Sequence, residues 1–435
     1  MTWRHRAWAV AAVTFLALVS AAAFRSSTGV FVEPIADEFG WSLSTVSLAV
    51  TVNLVLYGLV APFGAALMEA FGIRRVVAGA LVLLALGMAL ITVMTQPWQL
   101  MLFWGVFLGA GAGCLALVLG SIVANRWFVQ RRGLVTGVFS AGSATGQLLF
   151  LPTLARLATE HGWRSASLLL SAVALLIVPL VLLVLRDHPS DVNELPYGAP
   201  PGWTEPPALH DGGAGPAKVA VLRLLEAGRT RAFWLLFITF FICGWSTNGL
   251  VGTHFIPAAH DHGLPPTTAA TLLAFVGLFD LVGVIGSGWF TDRYDPRYLL
   301  VVYYGLRGVS LLIVHLLWAP TVLAPMFFFV VLYGLDWAAT VPPTMALCRE
   351  CFGLQRSSVV FGWIYAAHMV GAGISAGVAG AIRQSTGSYD VAWWTTGALA
   401  ILAALMVLVI PHGIAIATQD APTTPDPTLS PADSM

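Results

Sequence analysis

The chain has 435 residues, of which 58% are hydrophobic and only 10% are charged. A soluble globular protein carries about 25% charged residues, so a chain this apolar cannot cover a surface that faces water, and lipid must cover it instead. The formal net charge is zero, which excludes a general electrostatic attraction to nucleic acid.

The N-terminal segment has the pattern of a secretory signal peptide. Arg4 and Arg6 precede an apolar run, and three alanines at 21–23 follow within it. Further membrane segments come directly afterwards, with no soluble domain between them. We therefore interpret this segment as an uncleaved first transmembrane helix.

Long apolar runs recur along the whole chain. A helix that spans a membrane needs about 20 mostly apolar residues, and twelve runs meet this requirement. They cover 8–32, 44–68, 76–95, 99–124, 134–156, 164–185, 233–257, 267–290, 299–318, 321–346, 357–381 and 390–411. The runs are continuous rather than alternating, which argues against a membrane β-barrel. The sequence predicts an all-α, polytopic membrane protein.

Basic residues between the predicted helices indicate an orientation, because loops rich in Arg and Lys stay in the cytoplasm. With the N-terminus inside, sixteen of the 21 basic residues lie on the cytoplasmic side, and only Arg156, Arg164 and Arg383 lie outside. A missed or invented helix would destroy this asymmetry. We expect a multi-pass protein of the cell inner membrane, monomeric, with both termini in the cytoplasm.

Residues 187–231 interrupt the apolar pattern near its midpoint. They include seven prolines and several glycines, and such a segment cannot bury a core of its own. We interpret it as a cytoplasmic linker between two six-helix bundles, 1–186 and 232–412, with a short amphipathic helix over 217–228. Residues 413–435 are polar and rich in Pro, Thr and Ser, which predicts a disordered cytoplasmic tail.

Two matching loops lie six predicted helices apart. Glu69 and Arg74 follow the second helix, and Asp292 and Arg297 follow the eighth, both at an offset of 223 residues. The second loop matches the G-x-x-x-D-R-x-x-x-R signature of the major facilitator superfamily, whereas in the first loop Ala65 replaces Gly and Glu69 replaces Asp. The chain therefore resembles that superfamily, which implies two parallel halves of six helices each.

In that superfamily the loop latches the cytoplasmic side of the bundle. An acidic residue at one helix end faces the positive N-terminus of another helix and nearby Arg. The resemblance implies a gating role for residues of both loops, namely Glu69, Arg74, Arg75, Asp292, Arg293 and Arg297. Retention of these loops in the cytoplasm by positive charge explains the same residues, and the sequence leaves both interpretations open.

Within the superfamily, the chain is most similar to bacterial members of the monocarboxylate transporter group, along most of its length. The local motifs are Gly29-Val30-Phe31, Glu38-Phe39-Gly40-Trp41-Ser42, Trp127-Phe128, Arg131-Arg132-Gly133, Phe233-Trp234-Leu235-Leu236 and Tyr333-Gly334. These motifs identify a lineage and not a substrate. The resemblance implies that the first, fourth, seventh and tenth helices line a central cavity.

Four ionisable residues lie well inside the predicted helices: Arg25, Asp280, Arg307 and Asp336. Each costs roughly 2.5–3.5 kcal/mol on insertion unless it is paired or wet. Arg25 is our candidate for binding a substrate carboxylate, because a guanidinium donates two parallel hydrogen bonds to one carboxylate. The resemblance also implies a cation at this position. The alternative for Arg25 is an extension of its side chain to the outer interface.

The three remaining charges are candidates for proton coupling or for a charge network. The resemblance implies a proton-coupling Asp at Asp280 with an Arg one turn later, but Val284 takes the position of that Arg. Arg307 either supplies the missing charge or forms a buried structural pair with Asp280. Asp336, close to a candidate proline hinge, is either a second proton site or another partner for Arg307.

Other polar residues within the predicted helices are weaker candidates for contacting substrate. They are Asn53, Tyr57, Asn248, His254, Tyr333, Tyr365 and His368. A satisfied hydrogen bond between neighbouring helices is the simpler explanation for each of them. Cys114 and Cys243 lie in apolar runs and are interpreted as small core residues.

No nucleotide-binding signature, H-E-x-x-H or G-x-S-x-G motif is present in the sequence, which argues against ATP-driven transport and an embedded enzyme. Cys348 and Cys351 have no further metal ligands nearby, so we expect neither metal nor cofactor. We predict a secondary transporter of a small organic anion, by proton-coupled monocarboxylate symport with alternating access. Efflux of amphipathic drugs is the alternative, because 16 Trp and 24 Phe could build a tolerant cavity.

Overall fold

The computed structural model describes residues 5–204 and 213–413, without the side chains of Ser26, Thr28, Gly29, Leu43 and Gln147. Arg4 and almost all of the predicted tail at 413–435 lie outside the described residues.

Twelve helices of the described chain are long and apolar enough to span a membrane. We number them span 1 to span 12: Arg6–Arg25, Ser44–Phe71, Ile73–Ile91, Pro97–Trp127, Arg132–His161, Trp163–Val184, Arg231–Asp261, Pro266–Thr291, Pro296–Leu316, Ala324–Phe352, Ser357–Thr386 and Asp390–Leu408. Each span overlaps one predicted helix, but the helix predicted over 8–32 is divided, because span 1 ends at Arg25 and a separate helix covers Thr28–Phe39. Residues 5–204 and 213–413 contain no extended strand. The fold is all-α because a helix satisfies its backbone polar groups internally, where lipid offers no partner.

Local sequence sets where several spans begin and end. Ser42 and Thr230 accept hydrogen bonds from the backbone N–H groups of Thr45 and Phe233, and so cap spans 2 and 7. Gly72 alone joins span 2 to span 3, with φ of 87°, a backbone conformation that glycine adopts without steric cost. Short connections of this kind force neighbouring spans to run antiparallel.

The two halves have the same internal packing. Spans 1, 2 and 3 contact spans 5, 4 and 6 in the first half, and spans 7, 8 and 9 contact spans 11, 10 and 12 in the second. The halves meet where span 5 contacts span 8 and where span 2 contacts span 11. This equivalence agrees with the internal repeat that the two loops predicted.

Two equivalent spans are broken near their midpoints. Span 4 leaves the helix between Cys114 and Leu117, and span 10 leaves it between Asp336 and Val341. These breaks correspond at the 223-residue offset of the repeat. Non-helical backbone at this depth is tolerated where it lines a cavity or is buried in protein.

We call the side of the bundle that carries loops 128–131 and 292–295 and the segments 185–204 and 213–230 the linker face, and the opposite side the distal face. The predicted linker helix is confirmed as Pro216–Gly228. It packs against spans 2 and 11 of different halves. Trp363 Nε1 donates to the Ala220 carbonyl oxygen at 2.9 Å, and Arg356 pairs with Glu226 at 3.3 Å.

Hydrogen bonds and close helix packing join the two halves at the linker face. The Asp292 carboxylate accepts hydrogen bonds from the backbone N–H groups of Gly133 at 2.7 Å and Leu134 at 2.9 Å. Asn125 Nδ2 donates to the Ser357 hydroxyl at 3.2 Å. At the crossing of spans 5 and 8, a Cβ atom added to Gly288 would lie 2.3 Å from the Gly133 carbonyl oxygen, so only glycine permits this approach.

The distal face has a different pattern of contacts. Arg164 pairs with Glu38 at 2.7 Å within the first half, and Arg383 pairs with Asp261 at 2.6 Å within the second. The hydrogen bond from Arg164 lowers the pKa of the Glu38 carboxyl. Each of these pairs joins two elements of the same half. The hydrogen bonds of Asp292 and Asn125, by contrast, join the two halves at the linker face, so the bundle is closed there.

Candidate functional site

A cavity of about 620 Å³ lies between the two halves. Its wall comes from spans 1, 4, 5, 7, 8, 10 and 11, and includes residues beside both helix breaks. The lining extends into the distal parts of span 5, at Leu151 and Pro152, and of span 8, at Ala270 and Leu273. Since the linker face is closed, this cavity extends toward the distal face.

Arg25 lines this cavity from span 1. Its Nη1 atom donates to the Tyr57 hydroxyl and to the Ser143 hydroxyl, both at 3.2 Å. The guanidinium carbon lies 5.1 Å from the centre of the Tyr57 ring, and Tyr365 from the other half donates to the Tyr57 hydroxyl at 2.8 Å. Arg25 is half-buried and points into the bundle rather than to its edge.

The partners of Arg25 are neutral. Within residues 5–204 and 213–413, no carboxylate forms an ion pair with its guanidinium. A buried cation without an anionic partner is costly unless water or a ligand neutralises it. Among the described residues, the guanidinium of Arg25 therefore has hydroxyl partners and no carboxylate partner.

Arg307 on span 9 has the opposite environment. Its Nε donates to Asp336 Oδ2 at 2.6 Å, and its Nη2 donates to the Asp336 backbone oxygen at 2.7 Å. Its Nη1 contacts Cys243 Sγ at 3.1 Å and the Ser246 hydroxyl at 3.3 Å. Arg307 is only 1% exposed, so this charge is matched inside the second half. Of the alternatives left open by the sequence, the structure pairs Arg307 with Asp336 rather than with Asp280.

Asp280 lines the cavity from span 8 and is 5% exposed. Its Oδ1 accepts a hydrogen bond from the backbone N–H of Ala338 at 2.9 Å. That N–H is available because span 10 is broken at this point. Among the described residues, no cation forms an ion pair with Asp280.

Several of the weaker candidates share the cavity. Tyr365, His368 and Asn248 line it, and Asn248 Nδ2 lies 3.3 Å from His368 Nε2. Tyr57 is held against Arg25, at a small adjoining pocket. The structure thus brings together polar groups from spans 1, 2, 7 and 11.

Three weaker candidates lie elsewhere and have interhelical partners. Asn53 Nδ2 donates to the Trp104 carbonyl oxygen at 2.9 Å, and the Tyr333 hydroxyl donates to the Ser246 carbonyl oxygen at 2.8 Å. His254 contacts the Ala376 carbonyl oxygen at 2.8 Å through Nε2. None of the three belongs to the described lining of the cavity, so their substrate roles stay predictions without geometric support.

Sequence reasoning missed Ser143 and misread the environment of Cys243. Ser143 is the second hydroxyl partner of Arg25, and nothing in its sequence context separates it from packing serines. Cys243 is buried as expected, but it lines the cavity and its thiol contacts both Arg307 and the Thr340 hydroxyl at 3.2 Å. A thiol in an apolar run carries no signal that predicts these contacts.

The candidate gating residues differ in what they bridge. Asp292 forms hydrogen bonds between the halves, at the N-terminus of span 5. Arg293 donates to the Trp289 carbonyl oxygen within span 8, and Arg297 pairs with Glu350 at 2.6 Å within the second half. The other three lie near the linker face. Glu69 lines a second cavity of about 700 Å³ there. The Arg74 backbone N–H donates to the Asp187 carboxylate, and Arg75 is exposed.

The family model of the Major Facilitator Superfamily matches residues 14–306 and 251–430. The rat protein named monocarboxylate transporter 13 is 28% identical over 391 residues, which cover 89% of this chain and 84% of that protein. An uncharacterized MFS-type transporter of Bacillus subtilis is 23% identical over 389 residues, covering 88% of this chain and 90% of its own.

The fold is similar to that of solved transporters. A structure of the proton:xylose symporter of the major facilitator superfamily superimposes with a TM-score of 0.71, covering 93% of this chain and 96% of that one. The sequence identity is 14%, so this likeness concerns the fold alone.

Proposed function

The chain belongs to the major facilitator superfamily, and we propose that it is a proton-coupled symporter of an organic monocarboxylate, with Arg25 binding the carboxylate. The family consists of membrane transporters rather than enzymes. The relatives named monocarboxylate transporters support the substrate class, at modest identity. The observation that carries the proposal is a cavity-lining guanidinium whose described partners are all neutral.

Arg25 suits a carboxylate for reasons of geometry and charge. Its planar guanidinium can donate two parallel hydrogen bonds to the two oxygens of one carboxylate. Tyr57 and Ser143 occupy only Nη1 in the described contacts. Charge-assisted bonds of this kind are about twice as strong as neutral ones, so an entering anion would gain strong hydrogen bonds from Nη2 and Nε.

Asp280 is the better candidate for the proton. It faces the same cavity as Arg25 and has no cationic partner among the described residues, whereas Asp336 is already bonded to Arg307. A carboxyl group without a cation is neutralised most easily by a proton. A proton on Asp280 and an anion on Arg25 together leave the cavity without net charge, which lowers the cost of closing it from water.

Alternating access follows from the asymmetry of the two faces. We assign the linker face to the cytoplasm, because the predicted loops on that side hold most of the basic residues. Exposure of the cavity to that side requires separation of Asp292 from the N-terminus of span 5 and of Asn125 from Ser357. Rocking of the two halves about Arg25 and Asp280 would then carry anion and proton together across the inner membrane, in a monomer.

Uptake into proteoliposomes tests this proposal. Labelled pyruvate, lactate and longer acids are supplied with and without an inward proton gradient, and protein-free liposomes give the passive background. We expect uptake above this background, accelerated by the gradient, and lost in Arg25→Gln. The matched control is Arg164→Gln, which removes an arginine of the distal face that is paired with Glu38.

The outcomes separate the parts of the proposal. Equal uptake by the parent and Arg25→Gln would remove Arg25 from substrate binding. Uptake that does not respond to the gradient would overturn proton coupling. The absence of transport for every acid would overturn the substrate class.

A further inference from the structure

We propose that the acid selected by this cavity is a monocarboxylate with an extended apolar body, rather than a three-carbon acid such as pyruvate or lactate. The inference rests on the proposed function and deepens it. It follows from the size of the cavity, the chemistry of its wall and the position of its single cation.

The size of the cavity exceeds what a short acid fills. Its volume of about 620 Å³ lies within the range of roughly 300–1,000 Å³ that is typical of pockets for drug-sized ligands. A three-carbon acid bonded to Arg25 would leave most of this space to water. A larger apolar body fills it and displaces water from the apolar wall, which is favourable.

The wall beyond Arg25 is largely apolar. Aliphatic side chains from three spans line it, namely Leu148, Leu151, Ile256, Leu273 and Val276. Leu148 and Leu151 are 37% and 44% exposed, although they line a cavity between the halves. A ligand that covers such surfaces gains affinity in proportion to the apolar area removed from water.

The charges of the wall restrict the ligand to one carboxylate. Among the described lining residues, Arg25 and Asp280 are the ones with a formal charge at neutral pH. A second carboxylate on the ligand would find no second cation there and would lie in the same cavity as Asp280. The geometry therefore favours one acidic group at Arg25 and an uncharged body that extends along spans 5, 7 and 8.

Gly277 provides a way to change the space without changing the charges. It lines the cavity from span 8, one turn before Asp280, and a Cβ atom added there would meet no atom within 4 Å. A leucine at this position therefore projects into open space. Gly286 lies on the same span with equally free space and outside the described lining, so Gly286→Leu is the matched control.

The experiment measures binding to the purified full chain in lipid nanodiscs, by calorimetric competition among propanoate, hexanoate, decanoate and phenylpropanoate. We expect Kd to fall about fourfold for each added methylene until the cavity is full, which corresponds to ~0.8 kcal/mol per buried methylene. Decanol, which has the same body and no carboxylate, should bind far more weakly than decanoate. In Gly277→Leu, the Kd of decanoate should rise by at least about tenfold, because the leucine takes the space of roughly two buried methylenes of the ligand.

The same variant should leave the Kd of propanoate within about twofold of the parent, and Gly286→Leu should change neither ligand. An affinity that is flat or falls with chain length, or equal loss of short and long acids in Gly277→Leu, would overturn the inference while acid binding itself remained. Binding of decanol as tight as that of decanoate would also overturn it, since the carboxylate would then contribute nothing. Failure of every acid to bind would instead refute the proposed function.

Discussion

Each half of the bundle contains one arginine on a span and inside the bundle, Arg25 at the end of span 1 and Arg307 midway along span 9. The two differ in what neutralises them. Arg307 is 1% exposed and bonded to the carboxylate and the backbone oxygen of Asp336. Arg25 lines the cavity and is bonded to the hydroxyls of Tyr57 and Ser143. The first charge is paired with a carboxylate of the protein, whereas the described partners of the second are neutral, and we propose that a ligand neutralises it.

This difference teaches how to separate structural from functional charges inside a membrane protein. Both arginines are equally anomalous in an apolar sequence. A charge whose partner is built into the protein contributes to the folded state, and its loss leaves that partner unpaired. For a charge with neutral partners, such as Arg25, we expect the loss to affect anion binding more than folding.

The largest effect is expected when the matched pair is broken. Arg307→Gln leaves the Asp336 carboxylate buried without its cation, and the loss of one partner of a buried pair typically costs about 3–5 kcal/mol of stability. Thermal unfolding of the purified variant measures this loss. The double variant Arg307→Gln/Asp336→Asn should recover part of it, because no unpaired charge remains. Parental stability of the single variant would erase the distinction between the two arginines.

The complementary change at Arg25 should affect binding instead of stability. In Arg25→Gln, the affinity for a carboxylate ligand should fall by about 2–5 kcal/mol, the usual cost of removing one partner of a desolvated charge pair. Arg25→Lys keeps the charge but not the forked geometry, so its affinity for the carboxylate should lie between those of the parent and Arg25→Gln. Thermal unfolding of Arg25→Gln should stay close to that of the parent. Unfolding as severe as that of Arg307→Gln would make Arg25 a structural residue.

Asp280 extends the comparison to the two aspartates. A one-unit pH gradient supplies about 1.4 kcal/mol per coupled proton, enough for about tenfold accumulation of an anion. Asp280→Asn should abolish this accumulation and retain exchange of acid without a gradient, because Arg25 is untouched. Asp261→Asn, at an ion pair of the distal face, is the control and should accumulate acid normally. Gradient-driven accumulation by Asp280→Asn would assign the proton to another group.

Two tyrosines sharpen the comparison with smaller changes. Tyr365→Phe removes the hydrogen bond to Tyr57 beside Arg25, and Tyr333→Phe removes the bond to the Ser246 carbonyl beside Arg307. Each bond is worth about 0.5–1.5 kcal/mol. We expect Tyr365→Phe to lower the affinity for the acid, measured by calorimetry. We expect Tyr333→Phe to lower the stability of the fold, measured by thermal unfolding. If both variants lost affinity, or both lost stability, the distinction between a binding site at Arg25 and a structural site at Arg307 would be contradicted.

The spans and the repeat were predictable from the sequence because apolar length is a local property. The position of Arg25 inside the bundle was also predictable, since a charge within an apolar run is conspicuous whatever the tertiary structure; its substrate role stays a proposal. The similar packing of the two halves was predictable from the matching loops at Glu69 and Asp292, because these loops mark the repeat.

The pairing of charges was not predictable. Asp280 and Asp336 are both candidates for Arg307 by sequence, and only the packing of spans 9 and 10 decides between them. The hydrogen bond to Asp280 depends on a helix break that frees the Ala338 N–H, which no residue pattern specifies. The sequence also does not show which face of a helix turns toward the cavity. It therefore could not separate Asn53 and His254 from residues that line the cavity.

A structure of the full chain with a bromo-substituted aryl carboxylate would locate both ends of the ligand. Anomalous scattering identifies the bromine, and the difference density identifies the carboxylate. We predict the carboxylate within hydrogen-bond distance of the Arg25 guanidinium and the bromine among the aliphatic side chains of spans 5, 7 and 8. A carboxylate bound at Asn248 and His368, with Arg25 still bonded only to Tyr57 and Ser143, would contradict this assignment.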